Sequence, residues 1–455
     1  MQSPATTFHI RTYGCQMNER DSEALAFLLE SLGYRETPDE LAADILVLNT
    51  CSVRAQAEHK VLGKLGILKR HRAENPNRIV GVVGCMAQNY GERLLEKIPH
   101  VDFVLGTHQL ERLPEVLEAV VAGKHGIVLT DMDGGVRSPV LNGHRPGSHA
   151  AFVAVMHGCN QFCTYCIVPH VRGREVSRPA TEIVDEVRRL ADQGVKEVTL
   201  LGQNVTAYGL AEARRQTTHC RGDSPFADLL ETLHPIEGIR RIRFTSPHPR
   251  DMNERFIATV TTLPKVCNAF HVPLQSGSDR ILELMHRGYT VGQYLDVIDG
   301  LRRAGPDTTL STDVIVGFPS ETEDEFLQTK AVMERVRYDM AYVFKYSPRE
   351  GTRAARDLED DVDKDEKLRR NHVLLETLEA GVATANERYV GMDVEVLVEG
   401  ASPRNPETWC GRTRNSKVCI FPPVPGLHPG DLVTVRIDRV TSHSLFGTAA
   451  GAPAS

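Results

Sequence analysis

At 455 residues, 41% hydrophobic and 25% charged, the chain has a globular composition and length for roughly three domains. No run of 18 apolar residues is present to span a bilayer, and MQSPATTF lacks the features of a secretory or transit peptide, so a cytoplasmic protein with no membrane partner is expected. The net charge of −7, from 53 Lys and Arg against 60 Asp and Glu, excludes a uniformly basic nucleic-acid coat and leaves any RNA contact to local patches.

Residues 7–106 alternate short apolar runs (FHIRTYG, DILVLNT, RIVGVVG) with amphipathic stretches, a βα rhythm that predicts parallel strands. In DSEALAFLLESLGY, Ala24, Leu25, Leu28, Leu29 and Leu32 make one apolar helical face ending at Gly33. The polar passage SPVLNGHRPGSHA, Ser138 to Ala150, reads as a linker. From Ala151 six strand candidates follow, AFVAVMHG, KEVTLLGQN, IRRIRFTS, NAFHVPLQ, TLSTDVIVGF and MAYVFKYS, separated by helical patterns. A closed (β/α) barrel needs eight such units and about 250 residues, so six predict a partial, laterally open barrel. A helix from about Asp363 to Asn386 precedes DVEVLVEGA, WCGRTRNSKVCIF and DLVTVRIDRV, the pattern of a small β-barrel. From Glu387 onward seven Arg or Lys face seven Asp or Glu, yet Arg412, Arg414 and Lys417 cluster on one candidate hairpin.

Ten cysteines in a chain read as cytosolic point to metal ligation, redox chemistry or buried thiols rather than disulfides. Cys159, Cys163 and Cys166 lie within eight residues directly after an apolar strand. Three thiolates on a four-iron cluster leave one iron open to an external ligand, as a catalytic metal site keeps an open position. A zinc site would want a fourth ligand, and His157 and His170 do not supply a familiar zinc spacing. Cys15, Cys51 and Cys85 are separated by 36 and 34 residues, about one βα unit each, and each follows an apolar run. Carboxyl ends of parallel strands share one edge, so the three are expected to converge there and hold a second cluster with an open iron. Gly14 and Gly84 beside them are expected to let backbone approach a bulky inorganic ligand. The other reading is three unrelated core thiols. Cys220, Cys267, Cys410 and Cys419 read as ordinary thiols.

The Cys-x3-Cys-x2-Cys run with Tyr165 before its last cysteine resembles the radical S-adenosylmethionine superfamily. Together with TYGCQMNERDSE, LNTCSVR, GCNQFCTYCIVPHVRGREVSRP, LGQNVTAYG, RIRFTSPHP, HVPLQSGSDRILELMHRGYT, STDVIVGFPSETEDEF, YSPREGTRAA and GRTRNSKVCIF, from Phe8 to Gly447, the chain resembles the methylthiotransferases, most closely the branch that acts on N6-isopentenyladenosine in tRNA. That resemblance implies an α/β chain of three parts: a parallel α/β methylthiotransferase domain (1–140), a partial (β/α)6 radical S-adenosylmethionine barrel (141–383) and a small β-barrel TRAM domain that contacts RNA (384–450). It implies two 4Fe-4S clusters, an auxiliary one on Cys15, Cys51 and Cys85 and a radical-generating one on Cys159, Cys163 and Cys166, with no side-chain acid or base as catalyst.

The S-adenosylmethionine pocket would be shaped by Tyr165, Gln203, Asn204, Gln275, Ser276, Gly277, Gly317, Phe318 and Pro319, since such barrels keep active sites at carboxyl strand ends. The implied reaction moves a methyl group from one S-adenosylmethionine to sulfur at the auxiliary cluster. A second S-adenosylmethionine then yields an adenosyl radical that removes hydrogen from C2 of the adenosine adjacent to the anticodon, and sulfur attack closes the C–S bond. The implied partners are a tRNA anticodon stem-loop and an electron-donor protein, with Arg412, Arg414 and Lys417 expected to hold RNA backbone. Ser320 departs from the family's usual Gly at that place. Sibling activities on threonylcarbamoyl-adenosine or a ribosomal-protein aspartate, and a non-enzymatic iron-sulfur carrier, are the alternatives.

Overall fold

A computed structural model describes residues 6–52, 55–75, 77–132, 143–145, 147–215 and 222–449. Cys220 and most of the stretch Ser138 to Arg145 lie outside the described residues. Among those described, no helix is long and apolar enough to cross a membrane.

The N-terminal region is a six-stranded parallel sheet of Thr7–Tyr13, Arg35–Glu36, Ile45–Thr50, Ile79–Gly84, Phe103–Leu105 and Ile127–Leu129. In space their order is second, first, third, fourth, fifth, sixth. The chain adds strands to one side of Thr7–Tyr13 and then to the other. The crevice outside the carboxyl ends of the first and third strands is therefore a topological switch point, where open α/β sheets bind ligands. The central strand Ile45–Thr50 is buried throughout. Ile45 and Val47 pack with Leu25 and Leu29 of helix Gln16–Ser31 on one face, Leu46 and Leu48 with Val61 and Leu65 of helix Ala55–Glu74 on the other. Each large aliphatic so enclosed stabilises the layers by about 1.5–3 kcal/mol.

The second region has six parallel strands, Ala150–Ala154, Glu197–Leu201, Arg241–Phe244, Ala269–His271, Thr309–Val316 and Met340–Lys345, as two three-stranded sheets joined by a bridge between Ile242 and Val266. The predicted partial barrel is present. Val153, Val198, Leu200, Ile242, Phe270, Leu310 and Val314 face the surrounding helices in one core. By the period-two alternation of strands, Phe152, Thr199, Arg243, His271, Asp313 and Tyr342 face inward. Helix Gln16–Ser31 packs across the edge strand Ala150–Ala154, and Met17 joins Phe152, Ala154 and Leu201 in a small apolar cluster. This places the beginning of that helix, and Cys15 before it, against the barrel.

Helix Lys364–Glu387 leads to a closed five-stranded barrel of Asp393–Ser402, Asn405–Thr413, Val418–Phe421, Ser444–Ala449 and Leu432–Val440.

Candidate metal centres

Cys15 caps helix Gln16–Ser31, Cys51 follows Ile45–Thr50 directly, and Cys85 opens helix Cys85–Tyr90 after Ile79–Gly84. All three thus stand at the carboxyl edge, two of them flanking the switch point. A polar lattice fixes these strand ends. The Cys15 thiol donates to Asn18 Oδ1 at 3.3 Å, and Asn18 Nδ2 donates to Asn49 Oδ1 at 2.9 Å and to the Thr50 carbonyl at 3.2 Å. Asn49 Nδ2 returns a bond to the Asn18 carbonyl at 2.8 Å, and Thr50 Oγ1 donates to the Val83 carbonyl at 2.6 Å. Two glycines leave room for these side chains. A Cβ on Gly14 would sit 2.5 Å from Asn18 Oδ1, and one on Gly84, whose φ is +91°, would sit 2.5 Å from Asn49 Oδ1. They make room for this lattice.

The thiol of Cys51 hydrogen-bonds Cys15 and, with Arg172 nearby, brings Cys15 down to about 6 against the opposing effect of desolvation. Burial pushes Cys85 up, and Arg172 pulls it back. Cys15 therefore offers a thiolate near neutral pH, the form that ligates metal.

The second trio lies between the short strand Met156–His157 and helix Val168–Arg172. The Cys159 amide donates to the Gly173 carbonyl at 3.2 Å, the Gln161 amide to Cys159 Sγ at 3.5 Å, and the Cys166 amide to the Cys163 carbonyl at 3.0 Å. Buried Arg287 donates from Nη1 to Cys163 Sγ at 3.3 Å. Desolvation, with repulsion from Cys163, raises Cys159 to about 11 and Cys166 to about 12. With Cys159 and Cys166 resisting ionisation beside Cys163, the trio is a donor set that needs positive charge among it, as soft metal centres supply. Among the described residues no three His, Cys, Asp or Glu side chains close around a point as the ligands of a single metal ion would. A cluster of several irons separates its ligand sulfurs more widely than one ion does.

Arg172 joins the two trios. It ends the helix after Cys166, and its buried guanidinium donates from Nε to Cys85 Sγ at 3.3 Å and from Nη2 to Asp21 Oδ2 at 2.8 Å. The N-terminal region grips this helix through Thr107 Oγ1, which donates to the Val171 carbonyl at 2.6 Å, and through His108 Nε2, 3.1 Å from the Arg172 carbonyl. Sequence reasoning did not single out Asn18, Asp21, Asn49 or Arg172, although Asn18, Asp21 and Arg172 lie within the quoted motifs TYGCQMNERDSE and GCNQFCTYCIVPHVRGREVSRP and Asn49 within LNTCSVR.

The expected pocket residues divide. Gln203 keeps a buried Oε1 without a protein partner, whereas Asn204 bonds Asp251 and Thr206. Tyr165 meets Phe318 edge-on at 6.4 Å, and Phe318 meets Tyr346 at 5.2 Å, with Pro319 buried beside them. Gln275 has φ of +68° and bonds the next strand through its backbone, while Ser276 Oγ accepts the Ser278 amide. A Cβ on Gly277 would lie 2.4 Å from Thr329 Cα and one on Gly317 2.3 Å from Lys367 Cγ, so both glycines serve close packing.

The hairpin expected to hold RNA makes contacts within the protein. Arg414 Nη2 donates to the carbonyls of Pro264 at 2.6 Å and Val266 at 2.9 Å, and Lys417 pairs with Asp339 at 3.1 Å. These partners precede barrel strands, so the hairpin docks on the amino end of the barrel, away from the cysteines. Arg412 pairs with Glu399 of its own module at 2.8 Å. A cluster of cations in sequence was satisfied by carbonyls and carboxylates that only the fold brings near.

Residues 7–106 match the family described as "Uncharacterized protein family UPF0004", residues 153–332 the radical SAM superfamily and residues 387–450 the TRAM domain. The fold resembles that of a radical S-adenosylmethionine methyltransferase from Kitasatospora setae, solved with cobalamin and a [4Fe-4S] cluster bound, at a TM-score of 0.56 and 14% identity over 77% of this chain and 74% of that one. The tRNA-2-methylthio-N(6)-dimethylallyladenosine synthase of Opitutus terrae is 45% identical over 96% of each chain, and that of Moorella thermoacetica 46% identical over 97% of this chain and 98% of its own. At that identity along nearly its whole length, the chain belongs to the family of tRNA-2-methylthio-N(6)-dimethylallyladenosine synthases.

Proposed function

We infer that this enzyme methylthiolates C2 of N6-dimethylallyladenosine (N6-isopentenyladenosine) beside the anticodon of tRNA, with S-adenosylmethionine as both methyl donor and radical source. The observation that carries the reading is the seam at Arg172, where the helix that follows the barrel-loop trio of thiols sends one side chain to Cys85 of the switch-point trio. We assign Cys159, Cys163 and Cys166 to one 4Fe-4S cluster and Cys15, Cys51 and Cys85 to a second. When bound, the clusters and S-adenosylmethionine supply the radical that removes an unactivated C–H hydrogen and the sulfur that replaces it, chemistry that side-chain acids and bases cannot perform.

The protein's own residues bind, orient and shield. Arg287 donates to Cys163 and holds its sulfur in place. Gln203 Oε1 is a buried acceptor for a polar group of S-adenosylmethionine, and the edge-on rings of Tyr165, Phe318 and Tyr346 form an apolar wall that keeps water from a reactive intermediate. An unpaired loop base can be splayed toward such a site without a globally basic surface. A soluble electron-donor protein completes the set of partners. Nucleoside analysis of tRNA from a deletion strain tests the reading. Accumulated dimethylallyladenosine with loss of its 2-methylthio form supports it, and unchanged tRNA with loss of ribosomal-protein thiomethylation overturns it.

A further inference from the structure

The last barrel strand, Met340–Lys345, has two unlike faces. Ala341 and Val343 pack outward into the core beneath the surrounding helices, whereas Tyr342 between them is 42% exposed. Contacts as well as alternation turn Tyr342 inward. Its ring meets His271 edge-on at 6.3 Å across the intervening strand Thr309–Val316, and it runs nearly parallel to the ring of Phe344, 6.3 Å away at 15°. His271 is held in turn over the inner side of that middle strand, with Nδ1 3.0 Å from Ser311 Oγ and Nε2 3.3 Å from Asp313 Oδ2. The alternate residues Leu310 and Val314 go into the core. Three strands thus build one inner surface, on which Tyr342 and Phe344 form an aromatic wall and His271 braces its lower ring.

The barrel edge at Ala150–Ala154 is covered by helix Gln16–Ser31, and the amino end meets the small barrel through Arg243 on Ser416 and Thr309 on the Asn415 carbonyl. The lumen stays accessible along the last strand, where Met340 and Tyr342 are both well exposed. Just past that strand Tyr346 packs on Phe318, and Phe318 on Tyr165 beside Cys166, so the wall of Phe344 and Tyr342 descends from the radical-generating loop. Aromatic faces left open to water inside a lumen suit a flat or apolar ligand, as base-stacking surfaces do. In a purine the outward bonds at C2 and C6 diverge, with N1 between them. A base that turns C2 to the cysteine loop therefore sends its N6 substituent away from the loop, along this wall.

We propose that Tyr342 and Phe344 are the surface that recognises the N6 substituent of the target base: the apolar dimethylallyl group packs on their rings, and prenylated adenosine is held in preference to plain adenosine. This rests on the tRNA reading above. The test is equilibrium binding of anticodon stem-loop RNA to the anaerobically reconstituted full chain, with dimethylallyladenosine or adenosine at the target position. The readout is the ratio of the two affinities. Wild type favours the dimethylallyl RNA, Tyr342→Ala lowers the ratio by about tenfold, and Tyr342→Phe, which keeps the ring, retains it. A wild-type ratio in Tyr342→Ala overturns the proposal while the substrate reading stands, and so does an equal loss for both RNAs. If Tyr342→Ala melts early, Phe344→Ala decides: a lowered ratio supports the proposal and an unchanged one overturns it. A wild-type chain that binds the two RNAs equally overturns the substrate reading and the proposal together.

Discussion

Arg243 on the inner wall of the barrel donates from Nη1 to Ser416 Oγ at 2.7 Å in the C-terminal module, and from Nη2 to the Thr413 carbonyl at 2.8 Å. Arg241 beside it donates to the Arg412 carbonyl at 2.8 Å and to Glu395. The small barrel therefore plugs the amino end of the large one, and the opposite, carboxyl end is left for chemistry.

Because Arg414 is part of that plug, Arg414→Ala leaves two carbonyls without their donor and lowers stability by about 1–3 kcal/mol. Hydrogen exchange of Val418–Phe421 reads this as faster exchange. The salt dependence of tRNA binding stays as in the wild type, since Arg414 contacts carbonyls of the barrel. A slope reduced by about one in the logarithmic plot would return Arg414 to the RNA interface.

His144 sits between the N-terminal region and the barrel, 2.7 Å from Glu186 and 3.4 Å from Glu23, with Arg20 and Arg178 also on Glu186. Burial works against its charged form, but hydrogen bonds to Glu186 and Glu23 outweigh burial and raise the ring above its usual 6.5. A raised folded value gives stability that is full below about pH 6.5 and is lost as pH rises through the folded value. The gap in thermal midpoint between wild type and His144→Gln is accordingly larger at about pH 5.5 than at about pH 8.5. An equal gap at both contradicts this. Glu186 is pushed down to about 2, desolvation being overcome by His144, Arg178 and Arg20, so its contribution is lost only as pH falls from about 4.5 towards that value.

Ser320 holds φ of +65°, in the left-handed region that glycine tolerates best, while its backbone amide donates to Asp361 Oδ1 at 2.7 Å. Ser320→Gly relieves about 1–2 kcal/mol of strain and loses part of that to a more flexible unfolded chain, a net gain of about 0.5–1 kcal/mol. Ser320→Ala gives no gain. Thermal midpoints of the two variants distinguish them.

Gly277→Ala would drive a methyl into the backbone of helix Glu323–Val336 at Thr329. The expected outcome is destabilisation by about 1–3 kcal/mol. Weaker S-adenosylmethionine binding at unchanged stability would place Gly277 in the pocket instead.

The long strands and helices were legible because each carries a period over many residues. Thr309–Val316 alternates buried and half-buried positions, and Lys364–Glu387 matches the expected helix within a residue at each end. The strands Phe103–Leu105 and Ile127–Leu129 were not, since three apolar residues show no period. The cysteines could be placed at one edge because parallel strands put their carboxyl ends together. Arg172 could not be paired with Cys85 in advance: the two are 87 positions apart and meet only when one domain's loop helix is gripped by the other. The contacts of Arg414 and Lys417 were hidden for the same reason, because their carbonyl and carboxylate partners lie between 78 and 150 positions away along the chain.

The central claim is that the chain holds two clusters, one on each trio of thiols. Iron and sulfide counting on the anaerobically reconstituted wild type and on its Cys15→Ala, Cys51→Ala, Cys85→Ala variant tests it most directly. The expected result is about eight irons per chain falling to about four, with reductive cleavage of S-adenosylmethionine retained. Equal iron in the two proteins would contradict it.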